Sequence, residues 1–160
     1  MEIDISNITV RKVTGSDISD MVGYRIDYLA EMQGERSQAY IEILKRDLTD
    51  YFTEGIREGS FIAVLAESEG KALSYGGMVI RKIPGDFNQS FYLEADILNM
   101  YTLPEARKMG ISTRVLRSLI SEARSLGISK LALHTTKAGE KMYRSNGFSD
   151  PVFPVLEQNL

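Results

Sequence analysis

Between Gly110 and Leu126, the apolar residues Ile111, Val115, Leu116, Leu119, Ile120 and Ala123 recur at the three- and four-residue spacing of one helix face. Gly127 supplies the stop. A second stripe, Ile18, Met21, Val22, Ile26, Leu29 and Met32, follows Ser16 and Asp17, either of which can cap a helix. Gln38 to Glu58 reads as another helix, its apolar positions drifting around one side, and Ala138 to Ser145 as a short one. Strand-like runs are Ile8–Thr14, Phe61–Ala66, Ala72–Ile83, Phe91–Leu103, Lys130–His134 and Val152–Leu156. Glu67-Ser68-Glu69-Gly70-Lys71 turns the chain between two of them, and a loop over 83–88 precedes the fourth. The order is strand, two helices, three strands, helix, strand, helix, strand. It predicts the α/β class: a mixed sheet with helices on both faces.

Nothing divides this pattern. The chain has 160 residues with no repeat, low-complexity tract or linker, so a single domain over 1–160 is expected, large enough to bury a core without metal or disulfide support. Cysteine is absent, which removes disulfides and a Cys acyl-enzyme and favours an intracellular, cytoplasmic location. The first residues lack the basic and apolar regions of a signal peptide, and no apolar run reaches membrane-spanning length, so no membrane partner is expected.

Charge adds an asymmetry. The net charge is −3, but residues 104–147 carry nine Lys and Arg against three acids, so the remainder is strongly acidic. A basic half suits a polyanionic cofactor, and an acidic half would draw a cationic acceptor, unless both are simply solvated surface. No aromatic platform interleaves the basic residues, so nucleic-acid binding is not expected. Gly-Lys-Ser/Thr and Rossmann spacings are missing, which argues against a nucleotide switch.

Several residues can carry chemistry. Pro104-Glu-Ala-Arg-Lys-Met-Gly-Ile-Ser-Thr113 joins a strand to a helix, and Gly110 at the helix start lets backbone N–H groups approach an anion. Arg107 and Lys108 add positive charge there. Arg25 falls inside an apolar stripe, where it either snorkels to an edge or faces a cavity. Glu94 and Asp96 share one face of their strand, as a base or relay or as members of ion pairs. His134 is the only histidine, and without other His or Cys it builds no conventional metal cluster; no metal is expected.

The loop, together with Tyr143-Arg-Ser-Asn-Gly-Phe148, resembles the GNAT superfamily of acyl-CoA-dependent N-acyltransferases, in its bacterial small-molecule or peptide-modifying branch. Arg107, Gly110 and Ser112 occupy the defined positions of a Gln/Arg-x-x-Gly-x-Gly/Ala loop, with serine in place of the last small residue. The resemblance spans nearly the whole chain, with its specific motifs between Asn99 and Phe148. It implies a mostly antiparallel central sheet splayed at the cofactor site, and transfer of an acetyl group from acetyl-CoA to a primary amine by direct attack in a ternary complex.

The implied cofactor contacts are Met100, Tyr101 and Thr102 on the central strand and Arg107, Lys108, Met109, Gly110, Ile111, Ser112 and Thr113 around the phosphates. Thr136 stands where many relatives carry an asparagine. Tyr143 matches the family's general acid, Asp96 falls at the interval of a catalytic glutamate with Glu94 beside it, and Arg25 resembles a substrate-side arginine. A catalytically silent acyl-CoA-binding module on the same fold is the alternative. A homodimer paired through the apolar tail, 152–156, is a further expectation.

Overall fold

The computed structural model describes residues 3–160. Its elements run β1 (Thr9–Lys12), α1 (Ile18–Gln33), α2 (Gln38–Glu58), β2 (Phe61–Ser68), β3 (Lys71–Pro84), β4 (Phe91–Thr102), α3 (Ile111–Ser125), β5 (Ile128–Ala132) and α4 (Lys137–Ser145). The five strands form one open sheet in chain order. All neighbours are antiparallel except β4 and β5. The right-hand pair is parallel because α3 crosses over the sheet between them.

The helices divide as the alternation predicts. α3 buries Ile111, Val115, Leu116 and Leu119 with Val64, Leu73 and Met78 on one face of the sheet. α1 and α2 cover the other face, where Met21, Val22 and Phe52 meet Phe61, Leu65 and Tyr75. Each such side chain contributes roughly 1.5–3 kcal/mol on leaving water. α2 begins at a Ser37 cap whose hydroxyl accepts from the Tyr40 amide, and it ends at Gly59 in the left-handed conformation.

Adjacent glycines in β3 serve opposite faces. A Cβ on Gly76 would meet Met100 Sδ, Val115 Cγ1 at 2.8 Å and Leu119 Cδ1 at 3.0 Å; one on Gly77 would meet the Phe61 ring at 2.5 Å. Their bare backbone thus lets α3 and a large aromatic lie close to the sheet. Opposite Gly76, β4 carries an extra residue: pairing steps from Tyr75↔Tyr101 to Gly77↔Leu98, so Asn99 and Met100 share one partner.

One expected strand does not form. Residues 151–160 lie outside any helix or strand, with Val152 91% and Leu156 92% exposed. Pro151 and Pro154 bracket the run, each lacking an N–H, and leave only two residues between them that can pair. The fifth strand also lies two residues earlier than its pattern suggests, at Ile128–Ala132, leaving His134 beyond its end and exposed. No helix among the described residues is long and apolar enough to cross a membrane.

Candidate active site

The site begins where two strands part. β4 and β5 pair from Leu93↔Ile128 to Asp96↔Ala132, after which β4 runs on to Thr102 paired only with β3. Leu103 donates its N–H to Leu73 on β3, so Leu103 and Tyr101 direct their main-chain groups toward β3. Between them the alternation turns the Thr102 N–H and the Met100 carbonyl toward the widening gap. The Asn99–Met100 bulge sits at the same place.

Beyond β4 a short 3-10 turn, Pro104–Ala106, leads through Lys108 (φ +63°) and Gly110 (φ +77°) into α3. Gly110 is the N-cap and offers no side chain, so the amides of Ile111, Ser112 and Thr113 open the helix uncapped. A Cβ on Gly110 would meet no protein atom within 4 Å, so the space above the loop is open and only backbone conformation demands glycine. Such uncapped amides at the positive end of a fifteen-residue helix fit a pyrophosphate. Ile111 is buried at 1% and anchors the turn through its side chain, as Met109 does by packing on the same core. Ser112 Oγ lies 3.3 Å from Met142 Sδ, which joins this turn to α4.

Arg107 is not a free cation. Its Nε donates to the Thr102 carbonyl at 2.9 Å and its Nη2 to both oxygens of Glu31 at 2.8 and 2.9 Å, with the guanidinium 5.5 Å from the Tyr101 ring. The Arg107 hydrogen bonds and that from Tyr101 hold the Glu31 carboxyl below its usual range. Tyr101, donating to Glu31 at 2.7 Å, is pushed up to about 12, first by burial and then by that bond. The arrangement ties the loop to α1. Thr102 also uses its hydroxyl toward Ser74 Oγ at 2.8 Å, and Thr136 is the N-cap of α4, accepting from the Gly139 amide at 3.2 Å.

Tyr143 stands on α4 with its ring edge-on to Phe148 at 5.9 Å, half-buried. Burial, and secondarily the neighbouring Tyr28, raise its pKa, so the phenol keeps its proton at neutral pH. Its hydroxyl has no hydrogen-bond partner among the described residues. Tyr28 reaches it from α1, and also lies against Tyr101 at 6.4 Å and under Arg25 at 5.6 Å.

Glu94 and Asp96 do share one face of β4, and both are ion-paired. Asp96 meets Arg81 at 2.9 Å; Glu94 meets Lys130 at 3.1 Å and Arg81 at 3.9 Å. Asp96 is the last residue of β4 that pairs with β5 and therefore marks the fork of the gap.

Three neighbours of the site were not singled out in the linear reading. Glu31 and Tyr28 reach it only because α1 crosses the end of β4. Asn99 is 8% exposed, holds φ +60° and makes no hydrogen bond through its carboxamide; because no buried side-chain N or O lacks a partner, its polar atoms open on accessible space. An asparagine interrupting an apolar strand is the signal that marks it, since asparagine is among the few residues that accept positive φ.

The acetyltransferase (GNAT) family model matches residues 26–148. Among solved structures, a predicted acetyltransferase of Clostridium acetobutylicum, crystallised with acetyl-CoA, is 28% identical with a TM-score of 0.80, covering 95% of this chain and 96% of its own. A GCN5-related N-acetyltransferase of Ralstonia eutropha is 21% identical at TM-score 0.76, over 94% and 98%. The fold is shared with glucosamine-6-phosphate N-acetyltransferase of Arabidopsis thaliana, 19% identical at TM-score 0.69 over 94% and 97%. No curated protein sequence matches the chain. Sheet, fork and glycine loop together carry the family's pattern, and the chain belongs to the GNAT acetyltransferase family.

Proposed function

We propose that the protein transfers an acetyl group from acetyl-CoA to a primary amine by direct attack, both substrates being bound at once. The observation that carries this reading is the fork: β4 outruns β5 from Ile97 to Thr102 and delivers the chain into an uncapped helix N-terminus. Acetyl-CoA supplies the activated acyl group as a thioester. The Gly110–Thr113 amides and Lys108 hold its phosphates, while Arg107, fixed by Glu31, braces the loop. The Thr102 N–H and Met100 carbonyl line the gap for the arm that follows, a preorganised set of dipoles that water would have to reorient to match.

Tyr143 is the proton donor in this proposal. Its half-buried phenol is protonated at neutral pH and its hydroxyl meets no hydrogen-bond partner among the described residues, so it can give a proton to the departing sulfur. The amine must lose a proton before it attacks. Asp96, at the fork, and Glu94, two residues earlier, are the acids placed to relay it through water. Both are bound by Arg81, so an additive contribution from the two suits the geometry better than one strong base.

The decisive experiment is thiol release from acetyl-CoA across a panel of amines, with calorimetry of CoA binding alongside. Turnover with any primary amine supports transfer. CoA binding without turnover across amino acids, polyamines, amino sugars and peptides would leave a cofactor-binding module instead.

A further inference from the structure

We infer that the acceptor carries an anionic group, a carboxylate or a phosphate, and that Arg25 binds it. The inference rests on the acetyltransferase reading above and names the class of amine that this site takes.

Arg25 and Arg11 are the two arginines that are not classed as exposed. Arg11 is saturated: it binds Asp17 through both terminal nitrogens and Glu67 through Nε and Nη2. Among the described residues Arg25 has no carboxylate within ion-pair distance and no hydrogen-bond acceptor; its guanidinium lies over the Tyr28 ring, 5.6 Å from the centroid. The residue is partly buried, and its five N–H donors meet no protein acceptor among the described residues, so they are available to a ligand. The aromatic face leaves the planar fork free, the geometry that carboxylate and phosphate match in pairs of hydrogen bonds.

Tyr28 gives Arg25 its place. The same ring lies against Tyr101, on the part of β4 that extends past β5, and is close enough to Tyr143 to perturb it. Arg25 is therefore one aromatic side chain removed from the proton donor, on the α1 side of the gap. Three of the acids nearby are already held by protein cations. Glu31 is taken by Arg107 and Tyr101, and Glu94 and Asp96 are held by Arg81 and Lys130. Asp27, two residues along α1, is exposed to solvent, though near enough to Tyr101 and Tyr24 to perturb both. Arg25 is thus the partly buried unmatched charge on this side of the gap, although this half of the sequence is acidic.

The test compares acceptors that differ only in the anion: L-phenylalanine with its amide, and phosphoethanolamine with ethanolamine, with cadaverine as the dicationic control. KM and kcat are measured with acetyl-CoA, and each compound is titrated directly into the CoA complex. The anionic member of at least one pair should bind at least tenfold more tightly, and the pair that responds separates carboxylate from phosphate. Arg25→Ala should abolish that preference mainly through KM, with acetyl-CoA affinity kept, and Arg25→Lys should restore it in part because a point charge lacks the fork. Equal or better binding of the amide, ethanolamine and cadaverine, or an anion preference that survives Arg25→Ala, overturns the inference. Should acetyl-CoA itself not bind, the acetyltransferase reading fails separately, and the anion site stands or falls on titrations of the same pairs into the free wild-type and Arg25→Ala proteins.

Discussion

At the scale of single residues, Tyr143 and Gly110 make opposite demands. Removing the Tyr143 hydroxyl leaves the ring on Phe148, so Tyr143→Phe should fold normally and keep acetyl-CoA affinity while kcat falls about 10²-fold. Its raised pKa adds a pH signature. The donor form persists beyond the ordinary phenol value of 10.0, so the alkaline limb of kcat should lie above that pH and change shape in the phenylalanine variant. A rate profile measured on both proteins checks this. Gly110 instead acts through its backbone: at φ +77° a β-branched residue costs about 1–2 kcal/mol, and its side chain enters the open space above the loop. Gly110→Val should stay folded and lose at least tenfold in CoA affinity by calorimetry, whereas Gly110→Asn, which tolerates positive φ, should keep more of it. Unchanged affinity in the valine variant would remove the phosphates from this loop. In the sequence, Gly110 stands out through its place between a strand and a helix, and Tyr143 through the family resemblance of the Tyr-x-x-x-Gly-Phe segment. Asn99 does not, since its importance arises from a bulge that only pairing with β3 creates.

At the scale of elements, β3 is where packing is tightest. Gly76→Ala places a methyl against Val115 and Leu119, so α3 must rise from the sheet, at a cost of about 1–3 kcal/mol. Chemical denaturation should show this loss, and CoA affinity should weaken with it because α3 carries the phosphate loop. The start of α1 depends on electrostatics. Arg11 hydrogen bonds, and then the Thr14 amide and hydroxyl, hold the Asp17 carboxyl well below 3.8 against the effect of burial. A folded-state pKa below the unfolded one gives stability that is present above about pH 4 and is lost as pH falls through the folded value. Asp17→Asn should therefore be less stable at neutral pH and flatter below pH 4, as read from thermal midpoints across that range. Asp17 was visible as a candidate helix cap; its capping box with Thr14 and its link to β1 and β2 through Arg11 were not, because Glu67 lies far along the chain.

At the scale of the whole molecule, the tail from 152 to 160 is exposed and makes none of the recorded hydrogen bonds. A chain ending at Asp150 should keep its thermal midpoint within about 3 °C in dilute solution, since surface changes away from packed features are worth about 0.5 kcal/mol or less. Sedimentation of the full and shortened chains tests the expected homodimer: association lost with the tail supports pairing through it, and association unaffected by its removal places any interface elsewhere. The sequence by itself determined the elements whose period is local: the α3 stripe, the strand pair around 67–71, and the glycine loop with its helix start. It also determined the α/β class, because alternation of such elements admits few architectures. Tertiary structure alone decided which charges are free. Net charge along the chain set an acidic half against a basic one, but strand register placed Arg81 and Lys130 on Glu94 and Asp96, and the crossing of α1 over β4 placed Glu31 on Arg107. Among the described residues, Arg25 is the partly buried charge that folding leaves without a partner on the acceptor side. A charge acts through its nearest partners across a few ångströms, and those partners are set by folding rather than by position in the chain.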